Sequence, residues 1–367
     1  MDGLARIAIA CQGGGSRTAF TAGALGRLLR WCEAGPAIDD QRVQVLALSG
    51  TSGGAMCGLL AWYALLTQDA GGRSPAALLR DFWSDLSATE WWDVGLNAAL
   101  VGATRLEEYV TLPQISPYTF EAWRALTPPP AREWLNGRAR LRHLLEQHVD
   151  FPKLAGLVVS QQCAPRLLIG AVDVKSGEFR VFKSDAERWE ITPDALLASA
   201  ALPTLFEAVE IEGRFYWDGL FSQNPPIHDL LSTSLRRDEK PDEIWIIQVN
   251  PEAVSAVPRT TAEILDRRDE LGGNLSLNQE VRFVLRVNEL IRRQRAEHHV
   301  ELHPDFKEVR IARITLSAEL ASRLDAASKM DRDPKLIRTL EVDGEQQAEA
   351  FLRRRAAGTV DWEIYPP

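Results

Sequence analysis

A chain of 367 residues, 45% of them hydrophobic, can form one large domain or two smaller ones and has ample material for a core. Its formal charge of −9 argues against wholesale nucleic-acid binding. The four cysteines, Cys11, Cys32, Cys57 and Cys163, make no CxxC pair and no metal-ligand spacing, which fits a reduced, cytoplasmic setting.

The first residues, Met1 to Arg6, lack the basic and then long apolar pattern of a secretory leader, and no apolar run reaches the ~18 residues of a membrane span. A soluble chain is expected, with only a signal-independent route left for export. Arg6 to Cys11 (RIAIAC) reads as a buried strand, Gln12 to Arg17 as a glycine-rich loop, and Thr18 to Glu33 as a helix. Val43 to Leu48 is a second strand and Ala55 to Gln68 a second helix. This βαβα order predicts a parallel sheet with right-handed crossovers. Cys11 and Cys57 fall inside these buried elements and are expected to pack as small hydrophobes.

Gly50-Thr51-Ser52-Gly53-Gly54 joins the second strand to the second helix. Gly-x-Ser-x-Gly at a sharp strand-to-helix turn is a nucleophile elbow. The serine is held in a strained conformation over the positive end of a helix, and Gly50, Gly53 and Gly54 relieve the crowding around it. The chemistry this suits is acyl transfer through a serine ester. The plain alternative is a tight glycine-rich turn with no chemistry.

Residues 70–150 carry Trp83, Trp91, Trp92, Trp123 and Trp134 and a Pro128-Pro129-Pro130 break. They read as a helical insertion, either a cap whose aromatics line an acyl-chain site or an ordinary helical layer over the sheet. Leu167 to Val174 and Glu178 to Lys183 flank Lys175-Ser176-Gly177 as a hairpin. Thr192-Pro193 opens a short helix to Ala201, with threonine as N-cap and proline at the first helical position. Ala208 to Tyr216 suggests a second hairpin around Glu212-Gly213, and Glu243 to Val249 a further buried strand. From Arg259 to Val300 the chain is charged and helical. Lys307 to Leu316 alternates as a half-exposed strand, and 333–357 ends in a charged helix.

Acyl transfer needs donors for an oxyanion and a base for the serine. Gly13, Gly14 and Gly15, between a strand and a helix, can converge their N–H groups on an anion, and Ser16 and Arg17 follow, Arg17 adding positive charge. A phosphate loop for a nucleotide is the rival; it is weaker because neither GxxxxGK[ST] nor GxGxxG is complete here. Of the six histidines, His298, His299 and His303 suit a solvated face, and His228 after Asn224-Pro225-Pro226 is an unremarkable candidate base. Asp218-Gly219 is better placed, after the aromatic strand end Phe215-Tyr216-Trp217. A carboxylate there, partly desolvated, would have a raised pKa and serve as a base.

Taken together, Gly13-Gly14-Gly15-Ser16-Arg17, Gly50-Thr51-Ser52-Gly53-Gly54 and Asp218-Gly219, in that order, resemble the patatin-like phospholipase family. A fourth stretch, Ala198-Ser199-Ala200-Ala201-Leu202-Pro203-Thr204-Leu205-Phe206, is similar to the segment that leads toward the family's aspartate. The resemblance covers roughly 5–250. It implies an α/β fold, a mainly parallel central sheet between helices in a three-layer sandwich, with the Trp-rich insertion inside a catalytic domain over 1–250 and a mostly helical C-terminal extension over 251–367.

The resemblance further implies a Ser52–Asp218 dyad acting on lipid or other carboxylic esters, as in a phospholipase A, lysophospholipase or esterase. The loop over Gly13, Gly14, Gly15, Ser16 and Arg17 would form the oxyanion hole, with no cofactor and no metal required. Two positions depart from the family pattern: Thr18 stands where glycine is usual and is expected as an N-cap, and Leu220 stands where glycine or alanine is usual and is expected to narrow the pocket. A non-catalytic lipid-binding or scaffolding protein on the same fold is the competing expectation. Peripheral membrane contact is suggested by the tryptophans and by the clusters Arg292-Arg293-Gln294-Arg295 and Arg353-Arg354-Arg355. Nothing in the sequence sets the oligomeric state.

Overall fold

In the computed structural model, which describes residues 4–34, 42–106, 118, 137–161, 163–203, 205–254, 257–298 and 303–364, the first buried strand β1 is Leu4–Cys11. A short 3₁₀ turn, Gly15–Thr18, leads into α1, Ala19–Ala34. Strand β2, Arg42–Thr51, pairs in parallel with β1 and runs three residues past the expected Leu48. Helix α2, Gly53–Thr67, therefore starts one residue after Ser52, and the whole strand-to-helix turn is made at that serine.

The next segment is helical: α3, Pro75–Leu86, α4, Trp91–Leu106, α5, Gly137–His148, and α6, Phe151–Ser160. Trp83 is 1% exposed and meets the ring of Phe82 edge-on inside the core. It is a packing residue of a helical layer over the sheet, not the lining of a chain site as the cap reading expected. Trp91 is exposed, and Trp92 lies beneath the guanidinium of Arg140. Trp123, Trp134 and the Pro128-Pro129-Pro130 break lie outside the described residues, as does Thr204.

Both expected hairpins form. Strands β3, Arg166–Asp173, and β4, Phe179–Lys183, pair antiparallel. Helix α7, Pro193–Ser199, is capped by Thr192, whose hydroxyl accepts the Ala195 N–H. Strands β5, Val209–Ile211, and β6, Arg214–Asp218, are joined by Glu212 and Gly213, both at positive φ (54° and 77°), the geometry of a tight two-residue hairpin turn. Strand β7, Glu243–Gln248, is buried throughout. The remainder holds α8, Thr261–His298, β8, Arg310–Thr315, α9, Ala318–Ala321, and α10, Pro334–Ala356.

One sheet collects the eight strands of the described residues, in the order β5-β6-β3-β2-β1-β7-β8 with β4 also on β3. The run from β3 to β8 is parallel, and β4, β5 and β6 add antiparallel pairings at the other end. The C-terminal segment thus supplies the last strand, β8, as well as helices. Alternating residues of β1 point into two cores. Ile7, Ile9 and Cys11 pack with α1, α2, α3 and α10, while Ala8 and Ala10 pack with Leu277, Val281, Val284 and Leu285 of α8. A mostly parallel sheet with helices on both faces is the architecture expected from the sequence. Among the described residues, no helix is long and apolar enough to cross a membrane.

Candidate functional site

The carboxyl ends of the central strands meet at one place. Ser52 stands at the end of β2 with φ 56° and ψ −131°, a conformation that costs a residue with a side chain on the order of 1–3 kcal/mol. The two sides of the turn come so close that a Cβ on Gly50 would lie 2.5 Å from the Gly54 carbonyl oxygen. Ser199, at the end of α7, holds the turn: its hydroxyl accepts the Ser52 N–H at 2.9 Å and donates to the Gly170 carbonyl at 2.7 Å. The first turn of α2 points its N–H groups, and the positive end of its dipole, at the serine.

Asp218 ends β6 beside Gly170 and Ala171 of β3 and is 3% exposed. Burial pushes its carboxyl up to about 7, against the lowering effects of the Leu220 N–H and of a hydrogen bond with the Ser52 side chain. The Leu220 N–H donates to Oδ1 at 2.9 Å. A buried carboxylate facing a half-exposed serine hydroxyl is a proton acceptor of near-neutral affinity, the kind of group that removes a proton as an oxygen attacks.

The glycine loop lies across the same strand ends. Gly13 donates its N–H to Asn224 Oδ1 at 2.7 Å, and its carbonyl accepts from Asn250 Nδ2 at 3.3 Å. Gly13 is therefore occupied, which corrects the expectation that its N–H joins an oxyanion hole; the N–H groups of Gly14 and Gly15 have no protein acceptor among the described residues. Ser16 and Arg17 are buried. The Arg17 guanidinium bonds Ser328 Oγ at 2.8 Å, Glu270 Oε1 at 2.9 Å and the Asp325 carbonyl at 2.8 Å. A buried guanidinium needs such a partner, and Glu270 neutralises the charge that the sequence placed free beside the loop. Thr18 does not cap α1; its hydroxyl donates to the Gly15 carbonyl at 2.5 Å.

Leu220 leans toward α8, within 2.8 Å of where a Cβ on Gly273 would stand. His148 pairs with Asp85, and His303 is exposed beside Asp305. The His228 ring lies against Phe283 and its backbone N–H goes to Glu280. None of these three bonds Ser52 or Asp218 among the described residues; the His298 side chain and His299 lie outside them. The basic clusters are largely spent within the fold: Arg292 and Arg295 pair with Glu308, Arg293 with Glu289, Arg353 with Glu349, and Arg355 with buried Glu243.

A family model described as patatin-like phospholipase matches residues 9–231, more than half of the chain. The chain belongs to the patatin-like phospholipase family. Membership supports lipid hydrolase activity in general terms. The chain is also similar to the crystal structure of VipD from Legionella pneumophila, at 10% identity and a TM-score of 0.44, with 98% of this chain and 68% of that one covered. No curated protein matches it.

In this patatin-like chain the match stops short of β7, α8, β8 and α10, yet the site leans on α8 and on Val249, Asn250, Asp325 and Ser328. Sequence reasoning assigned no role to Ser199, Asn224, Gln12, Asn250, Asn274 or Glu270. Ser199 and Asn224 lay within quoted stretches, and Gln12 directly precedes the glycines. Asn274 and Glu270 sit in a charged helical run and carried no signal, because nothing local marks which face of a 38-residue helix turns inward.

Proposed function

We propose that this chain hydrolyses carboxylic esters of lipids through an acyl-serine, with Ser52 as nucleophile and Asp218 as base. The observation that carries the reading is the pairing of a serine at φ 56° with a buried carboxyl whose pKa stands at about 7 and which shares a hydrogen bond with it. Ser52 Oγ attacks the ester carbonyl as its proton passes to Asp218. The N–H groups of Gly14 and Gly15 are the available donors for the oxyanion, joined by the positive end of α2. Asp218 then protonates the departing alcohol, and water, deprotonated by the same carboxylate, cleaves the acyl-enzyme. No step requires a metal or an organic cofactor.

Hydrolysis of p-nitrophenyl esters of graded chain length tests this on wild type, Ser52→Ala and Asp218→Asn. The expected result is turnover in wild type and a loss of ~1000-fold or more in both variants, with circular dichroism unchanged. Full activity in Asp218→Asn would give the base role to another group. A folded wild type inactive on every chain length would favour a lipid-binding role for the same pocket.

A further inference from the structure

Helix α8 lies beyond the family-matched residues, yet both ends of the glycine loop are tied to it. At the start of the loop, Gln12 is fully buried; its Nε2 donates to Asn274 Oδ1 at 2.9 Å, and its Oε1 accepts the N–H groups of Val249 and Asn250 at 3.1 and 2.9 Å. At the end of the loop, Arg17 is bound to Glu270. Glu270 and Asn274 stand four residues apart, one above the other on a single helix face. Both are 4% exposed.

Gly273 sits between them. A Cβ there would fall 2.7 Å from Asn224 Nδ2 and 2.8 Å from Leu220 Cδ1. The helix therefore approaches both the residue that holds the Gly13 N–H and the residue whose N–H holds Asp218. The ties are firm in chemical terms. Glu270 also accepts from Arg267 at 3.2 Å, and Lys329 and Asp266 complete a group of opposite charges around Arg17. Asn274 Nδ2 is fixed by the Pro251 carbonyl at 2.9 Å.

Resting on the acyl-serine reading of the site, we propose that Glu270 and Asn274 are positioning residues for the oxyanion donors, Glu270 acting through Arg17 and Asn274 through Gln12. An oxyanion donor acts only when its hydrogen stands ~2.7–3.1 Å from the developing charge, and a displacement of about 1 Å can cost on the order of 100-fold in rate. The three loop glycines have little side-chain packing of their own to hold that distance. Asn224 and Asn250 hold Gly13, and two side chains of α8 hold the residues at the two ends of the loop. Arg17 in this arrangement orders the loop and does not serve as a cationic contact for substrate.

The test uses the full chain with Glu270→Gln, which changes charge but hardly size, and Asn274→Ala. Two readouts are taken. Hydrogen–deuterium exchange of the peptide spanning residues 9–18 should speed up about tenfold in both variants, with exchange of β7 unchanged. In ester hydrolysis, kcat should fall by roughly 30- to 100-fold with KM within about two-fold of wild type. The affinity of an alkyl trifluoromethyl ketone should fall in parallel, because its hemiketal places an oxyanion in the same hole. Unchanged loop exchange in the variants overturns the proposal. So does faster loop exchange with kcat unaltered, or a fall confined to KM. Should Asn274→Ala fail to fold, Glu270→Gln decides alone. A wild type with no Ser52-dependent turnover would instead sink the acyl-serine reading, while the exchange data would still decide whether α8 holds the loop.

Discussion

At the level of single residues, the carboxyl of Asp218 carries two opposed consequences. Its folded-state pKa is raised to about 7 from an ordinary 3.8, with burial as the main cause. Between those two values the folded chain keeps a proton that the unfolded chain has lost. Stability therefore falls as pH rises from about 4 to about 7 and levels off above, by an amount on the order of 4 kcal/mol. Asp218→Asn has no charge to bury and its side-chain oxygen can still accept the Leu220 N–H. It should melt above wild type at pH 8 and close to it at pH 4, in parallel thermal unfolding scans. An equal offset at both pH values would mean that the carboxyl does not titrate in this way. Under the proposed mechanism activity moves in the other direction. A base must be ionised to accept a proton, so kcat/KM of wild type should rise with pH through about 7 and then level. A flat profile across that interval would remove Asp218 as the base. Under the proposed mechanism Asp218 is active in the ionised form that destabilises the fold, a familiar trade between activity and stability.

At the level of elements, most of the chain's strands and helices were legible from periodicity and turn chemistry. The buried run at β1, the hairpin at Glu212-Gly213 and the Thr192-Pro193 start of α7 all carry signals that act over a few residues. The aromatic content of the insertion was not a reliable guide, since Trp83 is equally well used to fill a core. What periodicity cannot show is how closely two helices approach. Helices α1 and α10 come together at two glycines. A Cβ on Gly23 would stand 1.9 Å from the Glu341 carbonyl oxygen, and one on Gly344 2.0 Å from that of Phe20. Helix propensity alone predicts that Gly→Ala stabilises each helix by ~1 kcal/mol. Backbone collision predicts the reverse, a loss of roughly 2–3 kcal/mol or more as the helices are forced apart. The sign of the change in denaturant midpoint for Gly23→Ala and Gly344→Ala decides between them, and destabilisation is expected in both.

At the level of the whole molecule, the matched residues pair and pack with elements that follow them. The family match ends at residue 231, but β1 pairs with β7, β7 with β8, and α1 packs on α10. Glu243, fully buried at the start of β7, is held by Trp245 Nε1, Arg310 and Arg355, which joins β7, β8 and α10 in one charged cluster. A chain ended after residue 231 would expose the β1 edge and the α1 face and strip Arg17 of Glu270, Ser328 and Asp325. It should show no cooperative unfolding transition by circular dichroism and no ester turnover. A cooperative transition in that fragment would show that the later elements are an addition to a self-sufficient domain.

Local sequence is enough to give the strand-to-helix turn at Ser52, the glycine loop, the placement of Asp218 at a strand end, and the α/β character of the sheet. Each is encoded within five to ten consecutive residues, where backbone sterics and hydrophobic periodicity act without regard to distant partners. The occupation of Gly13 by Asn224, the neutralisation of Arg17 by Glu270 and the raised carboxyl of buried Asp218 arise from the folded arrangement alone. These are properties of groups 211 and 253 residues apart in the chain, or of solvent excluded by the assembled fold. Hydrogen bonds and desolvation depend on three-dimensional position, which a one-dimensional pattern of residue types does not carry.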